Sequence, residues 1–500
     1  MSTTTTSTGA AHILVFPYPA QGHMIPLLDL SHQLSLRGLT ITILVTPKNL
    51  PILNPLLSQN HSNIQTLILP FPDHPSIPHG VENVKDLPPS LFRVMMRAMG
   101  ELYNPILHWF NSHPSPPVAI ISDFFLGWTH HLASHLRIPR IVFFSSGAMG
   151  VAVIDSMFRD VPKNDDDNPN VLISFRKIPN SPVYPWWQLP SIFLGHKEGD
   201  PDSEFIRDGL LANMESWGMV FNTFNELESV YLDHFRKRNE SSLGYCSHRV
   251  WAVGPLLPPN DEDDVGSTDR GGSSSSVETD DLLSWLDTCP DHSVVYVCFG
   301  SQAVLRNNQM EALAAGLECS GARFLWCVKE ATEGHAMGEY GMVPTGFEDR
   351  TAGRGLVIRG WAPQLLILRH RAVGSFLTHC GWNSVLEGLS SGVVMLAWPM
   401  RADQYVDATL LVDQMRVAVK VCEGADTVPD SAELGRAVAE SVNENRPERI
   451  RTMELRKAAY DAVKEGGSSF KDLDSLARDL CGLHSVQKLC CDGPGPSLMG

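Results

Sequence analysis

The sequence is poor in positive charge. It carries 39 basic residues against 56 acidic ones, a formal net charge of −17, which argues against nucleic acid or an anionic membrane as partner. An anionic ligand would have to be held by local dipoles and donors. Long apolar runs are missing too, and none approaches the ~18 residues a membrane helix requires. No G-x-G-x-x-G and no G-x-x-x-x-G-K-[ST] occurs, so dinucleotide and P-loop sites lack their fingerprints. The ten cysteines show no paired C-x-x-C metal spacing, and none precedes Cys246. That pattern does not suit a disulfide framework and fits reduced thiols in the cytosol. The opening MSTTTTSTGA lacks both a basic n-region and arginine, which predicts neither a secretory signal nor a transit peptide. The expectation is a soluble, cytoplasmic chain.

Five hundred residues exceed what one hydrophobic core supports and predict two domains. Residues 13–16 read as a strand, 25–37 as a helix with Leu27, Leu28, Leu30 and Leu34 on its apolar side, and 39–45 as a second strand. That is a parallel-sheet signature. His23 enters that helix at the strand's carboxyl end, where open α/β sheets bind ligands; a lone histidine there is more often a cap or surface residue. Asp123 ends a strand at 118–122 and is either a second polar group at that edge or a helix N-cap. A strand at 141–144 runs into Ser145 and Ser146. Residues 50–115 are rich in Pro, Asn, Ser and His, with a helical patch at 91–110. Within the irregular stretch 160–200, Asp165–Asp167 offers a D-x-D metal pattern, but its Pro- and Asn-rich setting favours a solvated loop. Trp186, Trp187 and Phe193 either line a pocket or pack this stretch onto its domain. Residues 258–279 have the composition of a disordered linker. Beyond it come a strand at 294–299 entering Gly300 and Ser301, a helix at 308–319, a strand at 323–328 and a loop at 331–350.

Residues 361–404 organise the second half. A buried strand at 373–378 is followed by a turn at His379, Cys380 and Gly381. A short helix follows at 383–390, with Gly392 where a helix C-terminus favours glycine, then a second apolar run at 393–398. Such a turn leaves N–H groups unpaired at the positive end of a helix and can hold a phosphate. His379, Asn383 and Ser384 add donors, although Ser384 and Glu387 also have the spacing of a capping box. Trp361 offers a flat face for a base, Glu387 an acceptor for ribose hydroxyls, and Asp403 with Gln404 paired polar groups for a sugar.

W-A-P-Q at 361–364, H-C-G-W-N-S-x-x-E at 379–387 and D-Q at 403–404 closely resemble the signature box of plant secondary-product UDP-glycosyltransferases, family 1 of the glycosyltransferases. P-x-x-A-Q-G-H at 17–23 resembles that family's N-terminal motif, and S-D-F-F-L-G-W at 122–128 its second catalytic segment. F-G-S-Q-A-V-L at 299–305 resembles the 89 family of these enzymes. The resemblance implies an α/β fold of the GT-B kind, two doubly wound Rossmann-like domains facing across a cleft. The boundaries expected are an acceptor-binding domain at 1–255 (1–11 flexible), a linker at 256–280 and a donor domain at 281–465. A helix at 466–487 would fold back on the first domain, before a flexible tail at 488–500.

The implied roles follow residue by residue. His23 is the catalytic base and Asp123 its partner. Trp361 stacks on uracil, Ala362 contacts it through the backbone, and Gln364 and Glu387 hold the ribose. His379, Asn383 and Ser384 grip the diphosphate, with Gly381 and Ser301 at the two phosphate-side turns. Trp382, Asp403 and Gln404 meet the sugar, and Ser145 and Ser146 lie near it. Asp407 departs from the family, which more often has Asn there.

The reaction implied is an inverting displacement on a UDP-sugar, most simply UDP-glucose because Gln404 closes the box. The acceptor would be a phenolic such as a flavonoid or hydroxybenzoate, glycosylated on a hydroxyl or carboxyl group. The UDP-sugar is a co-substrate, so no cofactor or metal is expected, and small molecules acting on a monomer are the expected partners. Transfer of xylose or rhamnose, and UDP-sugar binding without catalysis, are the alternatives.

Overall fold

The computed structural model describes residues 10–58, 62–238, 249–258, 275–329 and 338–491. The first half contains strands β1 (His12–Phe16), β2 (Thr40–Val45), β3 (Ile64–Ile68), β4 (Ala119–Asp123) and β5 (Arg140–Phe144). A small antiparallel hairpin follows, β6 (Leu172–Ser174) with β7 (Val183–Pro185), and then β8 (Gly218–Phe221) and β9 (Arg249–Ala252). The second half contains β10 (Val294–Cys298), β11 (Arg323–Val328), β12 (Gly355–Arg359), β13 (Val373–Thr378), β14 (Val394–Ala397) and β15 (Ala418–Lys420). Apart from the hairpin, these strands form two wholly parallel sheets, ordered β3-β2-β1-β4-β5-β8-β9 and β12-β11-β10-β13-β14-β15.

Both sheets are buried on both faces, as their continuous apolar runs require. Along β1, Leu14 and Phe16 enter one core cluster while Ile13 and Val15 enter another. Along β10, Val295 and Val297 face one cluster and Val294 and Tyr296 the other. One cluster is continuous from the first sheet to the second, taking in Phe221 and Met149 as well as Trp382 and Phe376. The two lobes therefore share packed side chains.

Strand order reverses between β1 and β4 in one sheet and between β10 and β13 in the other. At such switch points adjacent connections leave on opposite faces and open a crevice at the carboxyl ends of the strands. The helix that follows β1 carries His23 in its first turn and the end of β4 is Asp123; the loop after β10 carries Ser301 and the turn after β13 carries His379.

The sequence expectations differ from the structure in several places. The 50–115 region contains a strand, β3, whose half-exposed residues gave no alternating signal. The helical patch at 91–110 is two helices, Phe92–Met99 and Tyr103–Ser112, broken by a tighter turn at Gly100–Leu102. The 331–350 loop ends in a helical turn, Phe347–Arg350. Ser275 already pairs with Gly360, and a helix begins at Thr279, inside the expected linker; 259–274 lie outside the described residues. The closing helix runs Ser468–Cys491, past the expected end at 487, and 492–500 lie outside the described residues, as do 1–9.

That closing helix packs on the first lobe. Leu473, Leu476 and Leu480 enter its core, Ser469 Oγ donates to the Gly254 carbonyl at 2.6 Å, and Asp472 accepts from Ala252 N–H at 2.8 Å. Leu476 is fully buried. Truncating a buried leucine typically costs about 2–5 kcal/mol. Leu476→Ala should lower the urea midpoint by a corresponding amount, and an unchanged midpoint would show that the helix does not stabilise the lobe.

Candidate active site

The base end is built from the first lobe. His23 is the third residue of the Gln21–Leu36 helix, and its ring is held among Tyr18, Phe124 and Phe125, with centroids 5.5, 5.6 and 4.7 Å away. Its Nδ1 lies 2.8 Å from Asp123 Oδ2 and 3.0 Å from Ser145 Oγ. A carboxylate can only accept, so Nδ1 carries the hydrogen and the unprotonated lone pair sits on Nε2. Asp123 is fully buried and fills both roles open to it. Oδ2 holds the histidine, while Oδ1 accepts from Phe125 N–H at 2.9 Å and caps the turn Phe124–Leu126.

A residue that sequence reasoning missed stands behind this pair. Arg140 is buried and donates to Ser122 Oγ, Asn213 Oδ1, Ser216 Oγ and the Asp123 carbonyl. Burial pulls its pKa down to about 9, so it remains charged at neutral pH, and Asp123 is the carboxylate opposing it. The signal was an arginine opening the otherwise apolar strand RIVFF.

The opposite end belongs to the second lobe. Gly381 caps the Trp382–Ser391 helix, and no side-chain cap is present. Ser384 is thus inside the helix, and the capping-box reading of Ser384 and Glu387 does not hold. Both instead meet Gln364, whose Nε2 donates to Ser384 Oγ at 3.0 Å and Glu387 Oε2 at 2.6 Å. His379 is drawn down to about 4 by burial, so it is neutral, and its buried Nδ1 has no partner among the described residues. Its ring is gripped by two glycines: a methyl at Gly300 would stand 2.7 Å from it and one at Gly381 2.6 Å.

A cavity of about 1330 Å³ joins the two ends. His23, Ser145 and Ser146 line it from one side. Ser301, Trp361, Ala362, Gln364, His379, Gly381 to Ser384, Glu387, Asp403 and Gln404 line it from the other. Trp361 is half-buried, leaving part of its ring to the cavity. Gln404 Oε1 accepts from Met400 and Arg401 N–H groups at 3.0 and 2.9 Å, which orients its amide N–H groups as the available donors.

Some side chains are engaged across the gap. Trp382 Nε1 donates to the Asn222 carbonyl at 2.7 Å, Asn383 Nδ2 to the Gly22 carbonyl at 2.9 Å, and Ser146 Oγ to Asp403 Oδ2 at 2.5 Å. Trp187 packs edge-on against Tyr405 of the second lobe, while Trp186 and the buried Phe193 pack together, so these three side chains serve packing; Pro190, Ser191 and Ile192 of the same stretch line the cavity. Asp165–Asp167 is an exposed turn, and among the described residues no group of three or more His, Cys, Asp or Glu is placed to hold a metal. Asp407 is buried and does not line the cavity. No described helix is long and apolar enough to cross a membrane.

This geometry has counterparts among known proteins. The family model described as UDP-glucoronosyl and UDP-glucosyl transferase matches residues 264–456. UDP-glycosyltransferase 89B2 of Stevia rebaudiana is 57% identical over 94% of this chain and 98% of its own length. Flavonol 3-O-glucosyltransferase UGT89B1 of Arabidopsis thaliana is 54% identical over 94% and 96%. Among solved structures, Arabidopsis thaliana UGT89C1 complexed with UDP-L-rhamnose superposes with a TM-score of 0.76 at 42% identity, covering 94% of this chain and 99% of that one.

If the glycines hold His379 at a phosphate, Gly381→Ala should displace the ring without unfolding the chain. Overpacking of this kind costs about 1–3 kcal/mol, so the Kd for UDP should rise about tenfold by calorimetry. An unchanged Kd would remove His379 from the phosphate site.

Proposed function

This chain belongs to the plant UDP-glycosyltransferases of the 89 family, with their GT-B fold, and from that premise we propose that it transfers glucose from UDP-glucose to a hydroxyl of a flavonol or related phenolic, with inversion. The observation that carries the reading is the His23–Asp123 pair, at 2.8 Å, across one cavity from the turn that holds His379 and Gly381. His23 Nε2 removes the acceptor's proton as that oxygen bonds to the anomeric carbon. The bond to the diphosphate breaks, and UDP leaves on the far side. Asp123 stabilises the imidazolium that forms, the arrangement of the His–Asp half of a hydrolytic triad. Charge developing on the diphosphate meets the helix-terminal N–H groups, His379 and Ser384. Trp361 and Ala362 take the uracil, Gln364 and Glu387 the ribose, and Asp403 with Gln404 the sugar. No step calls for a metal.

Glucose is favoured by Gln404 and by the 54% identical relative named as a glucosyltransferase. A donor panel of UDP-glucose, UDP-xylose and UDP-rhamnose with one flavonol, read by mass spectrometry, tests it. UDP-glucose should give the highest kcat/KM; faster rhamnosyl or xylosyl transfer would overturn the donor assignment. His23→Ala should lose about 10²–10⁴-fold in kcat while binding UDP as before, and undiminished turnover would dismiss His23 as the base.

A further inference from the structure

Two free thiols face each other under the nucleotide end of the cavity. Strands β10 and β11 pair in parallel with Val297 opposite Trp326. Continued by one residue, that register sets Cys298 opposite Cys327 with both side chains on the same face of the sheet. Neighbouring strands lie about 4.8 Å apart, inside the Cα separation of about 4.4–6.8 Å that a disulfide spans. The two thiols and the Tyr296 hydroxyl lie near enough to shift one another's titration. Each keeps 9% of its surface exposed, and both line the cavity, so a small oxidant reaches them by the donor's own route.

The pair is wired to three donor-side groups. Cys298 ends β10 and leads into Gly300 and Ser301. Cys327 Sγ lies 3.4 Å from the Gly360 carbonyl, one residue before Trp361. The Tyr296 hydroxyl donates to Gln364 Oε1 at 3.4 Å. The Cys327 thiol draws the Cys298 pKa down to about 7, whereas burial pushes Cys380, Cys422 and Cys481 up. Thiolate character concentrates nucleophilicity at Cys298.

We propose that Cys298 and Cys327 form a peroxide-oxidisable dithiol, and that closing it to a disulfide shuts the donor site. Cys298 thiolate attacks hydrogen peroxide, gaining one oxygen as a sulfenic acid while hydroxide leaves and is protonated to water. The Cys327 thiol then attacks the sulfenic sulfur, the S–S bond forms and a second water departs. Two thiols and one peroxide thus yield one disulfide and two waters. The disulfide draws the ends of β10 and β11 together and moves the turns that carry Ser301 and Trp361. The effect on donor binding rests on the cavity's being a UDP-sugar site; the covalent step does not.

The test uses reduced full-length protein exposed to hydrogen peroxide with and without UDP, then alkylated, digested and analysed by mass spectrometry. A Cys298–Cys327 linked peptide should form, UDP should slow its formation, and dithiothreitol should reverse it. By calorimetry the linked protein should bind UDP at least about tenfold more weakly. Cys327→Ser and Cys298→Ser proteins should form no link and show the same UDP affinity before and after peroxide. Recovery of both cysteines as free thiols, at peroxide that oxidises the exposed Cys319, would overturn the proposal. So would linked protein that binds UDP as the reduced form does. Reduced protein that fails to bind UDP would sink the transferase reading and the donor clause with it, whatever the mass spectrum shows.

Discussion

The distance between the two halves of the site is set by two adjacent residues. Trp382 is buried, and its indole N–H donates to the carbonyl of Asn222 in the other lobe; the next residue, Asn383, donates to the carbonyl of Gly22, the neighbour of His23. The turn that presents His379 and Gly381 is therefore two residues from a bond to the helix start that presents His23. Separating the lobes would leave the buried Trp382 N–H and Asn222 carbonyl unpaired, at about 1–3 kcal/mol per group, whereas the exposed Asn383 bond would pass to water. It would also expose the core cluster that runs through both sheets. The architecture fixes a gap between an imidazole and a phosphate turn, and the other contacts act inside that gap.

The electrostatics of the gap follow from the same burial. A protein of net charge −17 has no attractive field for a diphosphate, and the proposed phosphate end offers backbone N–H groups and a neutral histidine instead. Acidic groups nearby would oppose an anion unless they were neutral. Burial pushes Asp407 and Glu228 up, and Asp403 adds to the shift at Asp407. Glu228 also accepts the Ala148 and Met149 N–H groups at a helix start. Asp407, buried beside these groups, stands where the family more often has Asn, a residue of nearly the same shape.

Much of this was legible in the sequence because strands buried on both faces read as apolar runs. The polar residues that interrupt them, His23, Asp123, Ser301 and His379, fall at their carboxyl ends. Topology then brings them together, since each pair flanks a switch point. What stayed illegible depended on partners distant in the chain. Arg140 went unread because its partners Asn213 and Ser216 lie 73 and 76 positions on. β3 is a sheet-edge strand with half its residues exposed, and Trp186 and Trp187 carried no periodicity to show which surface they would meet. Ser384 and Glu387 had a local spacing that mimicked a cap, and only Gln364, 20 and 23 positions away, shows their engagement.

The acceptor end is less specified by motif than the donor end, yet its chemistry is constrained by the base. Tyr18, Phe124 and Phe125 pack around the imidazole, and Phe92 and Phe125 wall the cavity beside it. Such walls exclude water and accept flat rings. A phenolic proton, with a pKa of about 10, lies within a few units of what an imidazole takes up. An aliphatic hydroxyl lies nearer the ~15.7 of water, and each further unit adds about 1.36 kcal/mol to the proton transfer. Under the proposed reaction, acidity at His23 and the shape of its aromatic surround would favour the same kind of molecule for independent reasons.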